Sequence, residues 1–293
     1  MRSLLFVPAD AGSKLEKAFS CGADAVIIDL EDSIARDRKV AARARAAAFL
    51  KDACGRAPRP RLLVRVNGLA TGLTDDDLDA VVPWRPDAIL LPKAEGAAAV
   101  VHLDAKLCAR EAMQGLPEGH IQILALAIET AAGLFLAGTF RGASSRLGGL
   151  SWGAEDLSVD LGAETNRDAQ GRYTEPYRLA RALCLAAAAS AEVPAIETVY
   201  VNFRDLDGLR HDSEEARRDG FAGRLAIHPA QVPVINEVFT PSSEALEKAR
   251  AIVAAFAAEP QAGVIGLDGA MYDRPHLSRA QALLNRARGR GPA

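Results

Sequence analysis

Several things are scarce in this sequence, and each shortage excludes a class of protein. Of its 293 residues only four are cysteines, and Cys21, Cys54, Cys108 and Cys184 form no CxxC pair. That argues against a disulfide framework, a zinc site or thiol catalysis, and it fits reduced cysteines in a cytoplasmic protein. No apolar run approaches the ~18–20 residues that cross a bilayer. The first run, Leu4-Leu5-Phe6-Val7, is stopped by Pro8, which makes it too short for a secretory signal and better read as a strand. Neither sign of charge dominates: 35 Lys and Arg face 38 Asp and Glu, for a net charge of −3. No basic field therefore recruits nucleic acid, and no membrane partner is expected. Internal repeats and low-complexity linkers are absent. So is the GxGxxG turn of dinucleotide-binding folds, since LFVPADAGSK holds a lone Gly12.

What is present is a rhythm of short apolar runs separated by helical stretches. The runs are 3–7, 25–30, 61–66, 88–92, 121–128, 147–152, 195–201 and 224–227. Most are continuous rather than alternating, as in strands buried on both faces. Residues 35–50 and 177–191, between runs, are rich in alanine, arginine and leucine, all strong helix formers. This order predicts a parallel (β/α)8 TIM barrel over residues 1–235, with a doubly wound open sheet as the alternative. Residues 236–293 read as a C-terminal helical extension, with helices at 244–259 and 275–289 flanking the Gly-rich segment 263–273.

In such a barrel the chemistry lies at the C-terminal ends of the strands. Polar residues end nearly every run: Asp29, Glu31 and Asp32 after the second, Arg65 and Asn67 after the third, Lys93 and Glu95 after the fourth. Glu129 follows the fifth, Glu155 and Asp156 the sixth, and His228 the eighth. Acids converging on one mouth repel unless a cation joins them, and two hard carboxylates with open positions suit Mg2+. Glu129 and Asp156 form the best such pair. The alternative is that these acids cap the following helices. Arg65 within LLVRVN needs an anionic partner. It reads either as an ion pair with an acid such as Glu31 or as a clamp for a substrate carboxylate or enolate. His228 reads as a base or as a helix-entry residue, and Trp152 and Cys184 as core.

RSLLFVPA, ADAVIIDLEDSIA, VRVNG, LLPKAE, AIETAAGL, WGAEDL, FAGRLAIHPAQVPVINEVFTPS and GAMYDRP occur in that order along nearly the whole chain. This series resembles the citrate lyase β-subunit-like family, within the HpcH/HpaI aldolases and citrate lyases. The resemblance implies a Mg2+-dependent carbon–carbon lyase that cleaves or forms 3-hydroxy-carboxyacyl-coenzyme A thioesters such as malyl- or citramalyl-coenzyme A, with a 2-oxo acid as the other partner. It implies Glu129 and Asp156 as metal ligands, Arg65 and Asp273 as catalytic residues, and Arg65, Glu129, Glu155 and Asp156 as the substrate site. Coenzyme A contacts are implied at Phe6, Lys14, Lys17, Ile227 and His228; a second family lysine aligns with Ser13. Asp273 would be lent to a neighbouring subunit of a homo-oligomer, expected to be a trimer, or would instead cap the helix that starts near Pro275. Glu197 stands where relatives commonly carry aspartate. Two other functions stay open: a citrate lyase β subunit acting on a citryl-acyl-carrier protein, and a non-catalytic scaffold barrel. Intact Arg65, Glu129, Asp156 and Asp273 weigh against the scaffold, and retention of Asp273 favours a free-standing coenzyme A enzyme.

Overall fold

The computed structural model describes residues 1–288. It divides into two compact units, Met1–Glu237 and a second beginning at Val238. In the first unit eight strands alternate with helices: β1 (Ser3–Pro8), β2 (Ala25–Asp29), β3 (Arg61–Arg65), β4 (Ala88–Leu91), β5 (Gln122–Ile128), β6 (Leu147–Trp152), β7 (Ile196–Glu197) and β8 (Gly223–Ala226). They form one parallel sheet in the order β6-β5-β4-β3-β2-β1-β8-β7. A parallel bridge between Leu150 and Ala195 brings the two ends together, so the sheet is a nearly closed barrel. Each expected apolar run contains a strand, and the open-sheet alternative is excluded.

Continuous hydrophobicity of the runs follows from burial on both faces. Leu4, Ile27, Leu63, Leu90, Leu124, Leu126, Ile196 and Leu225 fill the barrel interior, while neighbours such as Val26, Val64 and Ile89 are equally buried. One strand is shorter than expected. The run 195–201 contributes only Ile196–Glu197 to the ladder, because the backbone beyond is claimed by side chains. Arg224 Nε donates to the Thr198 carbonyl at 3.1 Å and Gln231 Nε2 to that of Tyr200 at 2.8 Å.

Ahead of β6, at the N-terminal end of the barrel, Arg146 is 2% exposed. Its Nη1 and Nη2 donate to the two carboxylate oxygens of Glu111 at 2.8 and 2.6 Å, and its Nε to Asp104 at 2.5 Å. This is a closed, fully paired cluster. Glu197 is another: fully buried, it accepts from Trp152 Nε1 at 2.6 Å and Arg181 Nε at 2.7 Å. Both Trp152 and Cys184 are buried as expected. All four cysteines are free, and no helix of the described residues is long and apolar enough to cross a membrane.

The second unit contains the helices Ser243–Ala258 and Arg274–Arg288. Between them the Gly-rich segment forms an antiparallel hairpin of β9 (Val264–Leu267) and β10 (Ala270–Asp273). Asp268 and Gly269 at its tip both have positive φ, 50° and 75°. That is the geometry Asp-Gly favours in a two-residue hairpin turn. Ile252, Phe256, Ile265, Tyr272 and Ala280 form the small core of this unit.

Arg146→Met strands Glu111, itself 1% exposed, and is expected to cost about 3–5 kcal/mol in urea unfolding. Combining it with Glu111→Leu should regain part of that loss, because the buried charge is gone although the Ile121 and Gly119 N–H groups lose their acceptor. A double variant as unstable as the single would mean that the pair does not act as a unit.

Candidate active site

At the C-terminal end of β2 the segment Asp29-Leu30-Glu31-Asp32 turns over the barrel mouth, and side chains hold its backbone. Asp29 Oδ1 accepts from the Glu31 N–H at 2.9 Å and Oδ2 from that of Ser33 at 3.3 Å. From the following helix Lys39 Nζ donates to the carbonyls of Leu30 and Glu31, each at 2.7 Å. Asn67 Nδ2, from the β3 end, donates to Leu30 O at 3.1 Å. Burial lowers the Lys39 pKa, a cost offset by the two carbonyls it satisfies.

Arg65 ends β3 directly beside Asp29, its register partner on β2. Nε and Nη2 each donate to Asp29 at 2.7 Å, a two-point carboxylate contact. Nη1 lies 2.9 Å from Glu31 Oε2, and the guanidinium carbon sits 4.8 Å from the centre of the Phe6 ring. The Arg65 pKa is raised: burial opposes its charge, but Asp29, Glu31 and Glu129 more than offset this. On Asp29 burial acts upward and the Arg65 contact prevails, leaving the carboxyl below its ordinary value. On Glu31 burial wins and the pKa is raised.

Lys93 follows β4. Its Nζ donates to Glu31 Oε1 at 2.7 Å and lies 3.2 Å from Asp156 Oδ1 and 3.7 Å from Asp32 Oδ2. Its backbone N–H donates to Glu129 Oε2 at 2.7 Å. Glu129, just beyond β5, is 3% exposed. Burial first, and then the negative charge of Asp156, push its carboxyl up to about 8. Gly153 makes room for it, since a β-carbon there would stand 2.7 Å from Glu129 Oε1. The helix after β5 is capped by Thr130 Oγ1, which accepts from Gly133 N–H at 3.1 Å, so Glu129 is not spent on capping. Asp156 lies in the first turn of the helix Ala154–Asp160.

The expected rim thus converges at Asp29, Glu31, Arg65, Lys93, Glu129 and Asp156. The ion pair foreseen for Arg65 with Glu31 is present, but Asp29 is the stronger partner. That pairing was legible only once β2 and β3 were neighbours in register. Among the described residues no three His, Cys, Asp or Glu side chains gather into a metal cage. Mg2+ does not demand one, because it is commonly held by one or two carboxylates with water and substrate oxygens. Here five carboxylates, Asp29, Glu31, Asp32, Glu129 and Asp156, meet the cations of Arg65 and Lys93, and burial raises the pKa of both Glu31 and Glu129. That shortfall of positive charge is what a divalent ion held by Glu129 and Asp156 would remedy, so the donor set fits Mg2+.

Other expected residues are more dispersed. Glu155 is exposed and accepts from Asn166 Nδ2 at 2.8 Å. Phe6 touches Arg65, whereas Lys14 and Lys17 are exposed on the helix Gly12–Phe19. Ile227 and His228 are exposed beyond β8, which pairs with β1 through Leu5 and Ala226. His228 enters the next helix: its Nδ1 accepts from Ala230 N–H at 3.2 Å, and its ring stacks on Phe203 at 4.8 Å. In the second unit Asp273 Oδ1 accepts from His276 N–H at 3.3 Å and lies 2.5 Å from His276 Nδ1. It therefore caps the helix beginning at Arg274, and its carboxyl is lowered by the His276 contact.

The HpcH/HpaI aldolase/citrate lyase family model matches residues 2–229. The chain belongs to that family. A second family model, carbon–carbon bond lyases of the TIM-barrel fold, matches residues 178–291. A citrate lyase subunit beta-like protein of Mycobacterium tuberculosis is 35% identical over 97% of this chain and 94% of its own. A (3S)-malyl-CoA thioesterase of Cereibacter sphaeroides is 37% identical over 98% of this chain and 94% of its own. The crystal structure of CitE from M. tuberculosis in complex with magnesium, acetoacetate and coenzyme A superposes with a TM-score of 0.77. It is 34% identical, covering 98% of this chain and 97% of that one.

Lys39→Met would remove the ammonium that ties the Leu30 and Glu31 carbonyls together, leaving Leu30 O only the Asn67 amide and Glu31 O only the Ile34 N–H. Amide hydrogen exchange across residues 29–33 is expected to quicken roughly tenfold or more, with β5 and β6 unchanged. Unaltered exchange in the turn would show that Lys39 does not hold it.

Proposed function

We propose that this chain is a Mg2+-dependent carbon–carbon lyase acting on a 3-hydroxy-carboxyacyl-coenzyme A thioester of the malyl or citramalyl type. The observation that carries the reading is the buried Glu129 carboxylate and the half-buried Asp156, both held by Lys93 beside the Arg65 guanidinium at the mouth of a family barrel. Glu129 and Asp156 would hold the metal, which when bound supplies Lewis-acid polarisation of the hydroxyl and carboxylate of the α-hydroxy acid part. Asp29 takes two of the five guanidinium N–H bonds and fixes the plane of Arg65, leaving others for a substrate oxygen. In cleavage the hydroxyl proton passes to solvent water at the open mouth, the O–H electron pair forms the carbonyl of the departing 2-oxo acid, the C–C bond breaks, and its electron pair moves onto the thioester as an enolate. Arg65 would stabilise that oxygen, whose charge develops only as the bond breaks. Asp273 of a neighbouring chain would then protonate the enolate carbon, or remove that proton in condensation. Glu155 belongs to the substrate side, and Phe6, Lys14, Lys17, Ile227 and His228 to the coenzyme A side. We read the protein as a cytoplasmic homo-oligomer, a trimer.

A second reading is favoured by the identity to the malyl-CoA thioesterase: hydrolysis of the thioester itself. The discriminating experiment offers malyl-, citramalyl- and citryl-coenzyme A with Mg2+ and follows both products. A lyase releases acyl-coenzyme A and a 2-oxo acid; a thioesterase releases the free thiol of coenzyme A. Lyase activity on at least one of these thioesters is expected without an acyl-carrier protein. Glu129→Gln and Asp156→Asn should abolish it with the fold retained, because a neutral amide is a poor ligand for a hard cation. Arg65→Lys should cost about 100-fold in turnover. Wild-type activity in either carboxylate variant at limiting Mg2+ would overturn the ligand assignment.

The role of Asp273 is testable by complementation. Asp273→Ala and Glu129→Gln, each inactive alone, are mixed under conditions that let subunits exchange. Partial recovery is expected, since some mouths then combine an intact metal site with an intact aspartate. Demonstrated exchange without recovery would confine Asp273 to capping its own helix.

A further inference from the structure

Glu129 and Asp156 lie at the ends of different strands, yet Lys93 bonds both. The two bonds come from different parts of the residue. Its backbone N–H donates to Glu129 Oε2 at 2.7 Å, whereas its ammonium lies 3.2 Å from Asp156 Oδ1. The first contact depends on an unusual backbone. Lys93 has φ 49°, in the left-handed region that a residue with a β-carbon avoids. The next residue locks that turn onto β5, as Ala94 N–H donates to Leu126 O at 3.0 Å. The strained conformation thus aims one N–H at the buried carboxylate.

The second contact is looser. Glu31 Oε1 holds the ammonium by a hydrogen bond at 2.7 Å, while Asp156 is reached only as a longer ion pair. An ammonium and a divalent ion on one carboxylate repel each other. Lys93 can release Asp156 and stay on Glu31, whose other oxygen faces Arg65.

We propose that Lys93 sets the divalent-cation affinity of this site: its backbone fixes Glu129, and its ammonium competes with the incoming ion for Asp156. Lys93 is thus a positioning residue and a built-in competitor. This rests on the reading of Glu129 and Asp156 as metal ligands.

The test is isothermal titration of Mg2+ alone into the full chain, with thermal unfolding as a control on the fold. Lys93→Met and Lys93→Gln remove the charge but keep the backbone N–H, and both are expected to bind Mg2+ about tenfold more tightly. Lys93→Arg keeps the charge and should stay within about threefold of wild type. A purely structural lysine would give the opposite sign, because its loss would loosen Asp156 and weaken binding. Weaker or unchanged Mg2+ binding by the two neutral variants overturns the inference about Lys93 while the metal site stands, provided Glu129→Gln abolishes binding. Wild-type protein that binds no Mg2+ at millimolar concentration overturns both.

Discussion

The arrangement of this barrel mouth depends on one constraint: carboxylates delivered to a single opening by parallel strands must be neutralised there. Asp29, Glu31, Glu129 and Asp156 come from the ends of β2, β5 and β6 and cannot retreat, because the strands that carry them are buried on both faces. Arg65 and Lys93 supply positive charge from the ends of β3 and β4, between those of β2 and β5 in the sheet. Arg65 is committed to Asp29 at two points, and Lys93 is shared among Glu31, Asp156 and Asp32. Neutralisation is incomplete, and the deficit falls on Glu129, the most buried acid without a cation of its own.

The two ends of the barrel solve the same electrostatic problem differently. At the N-terminal end Arg146 is surrounded by Glu111 and Asp104, and its hydrogen-bonding capacity is spent within the protein. At the C-terminal end the charges are unbalanced and part of the hydrogen-bonding capacity is unspent. Glu31 Oε2, although 2.9 Å from Arg65 Nη1, has no hydrogen bond of good geometry. A satisfied network rigidifies a core, whereas an unsatisfied one is poised to receive a ligand.

Glycine placement links the local sequence to this chemistry. Gly153 separates Trp152 from the helix that bears Asp156, and any side chain there would strike the Glu129 carboxylate. The WGAED segment therefore needs its glycine to let one acid pack against the turn that carries the other. In the second unit Asp268-Gly269 turns a hairpin inside what reads, on composition alone, as a Gly-rich stretch. The Asp-Gly signal was present between two alternating segments, and its turn chemistry identifies the hairpin where glycine content does not.

The order of apolar runs by itself determined a parallel β/α fold, because strands buried on both faces leave a continuous hydrophobic signature; closure into a barrel rather than an open sheet was decided by the bridge between Leu150 and Ala195. The same runs located the acids and cations of the mouth, since a polar residue at the end of such a run can only be at a strand terminus. Partner choice was decided by tertiary structure. Arg65 takes Asp29 because β2 and β3 are neighbours in register, and Lys93 reaches both Glu129 and Asp156 because β4, β5 and β6 are adjacent. The short β7 was likewise settled by hydrogen bonds that only the folded chain can form, whereas the cap that Asp273 places on its own helix is a contact three residues away that the sequence already offered. Local sequence fixes which face a residue occupies; which charge it meets depends on the sheet order that brings distant segments together.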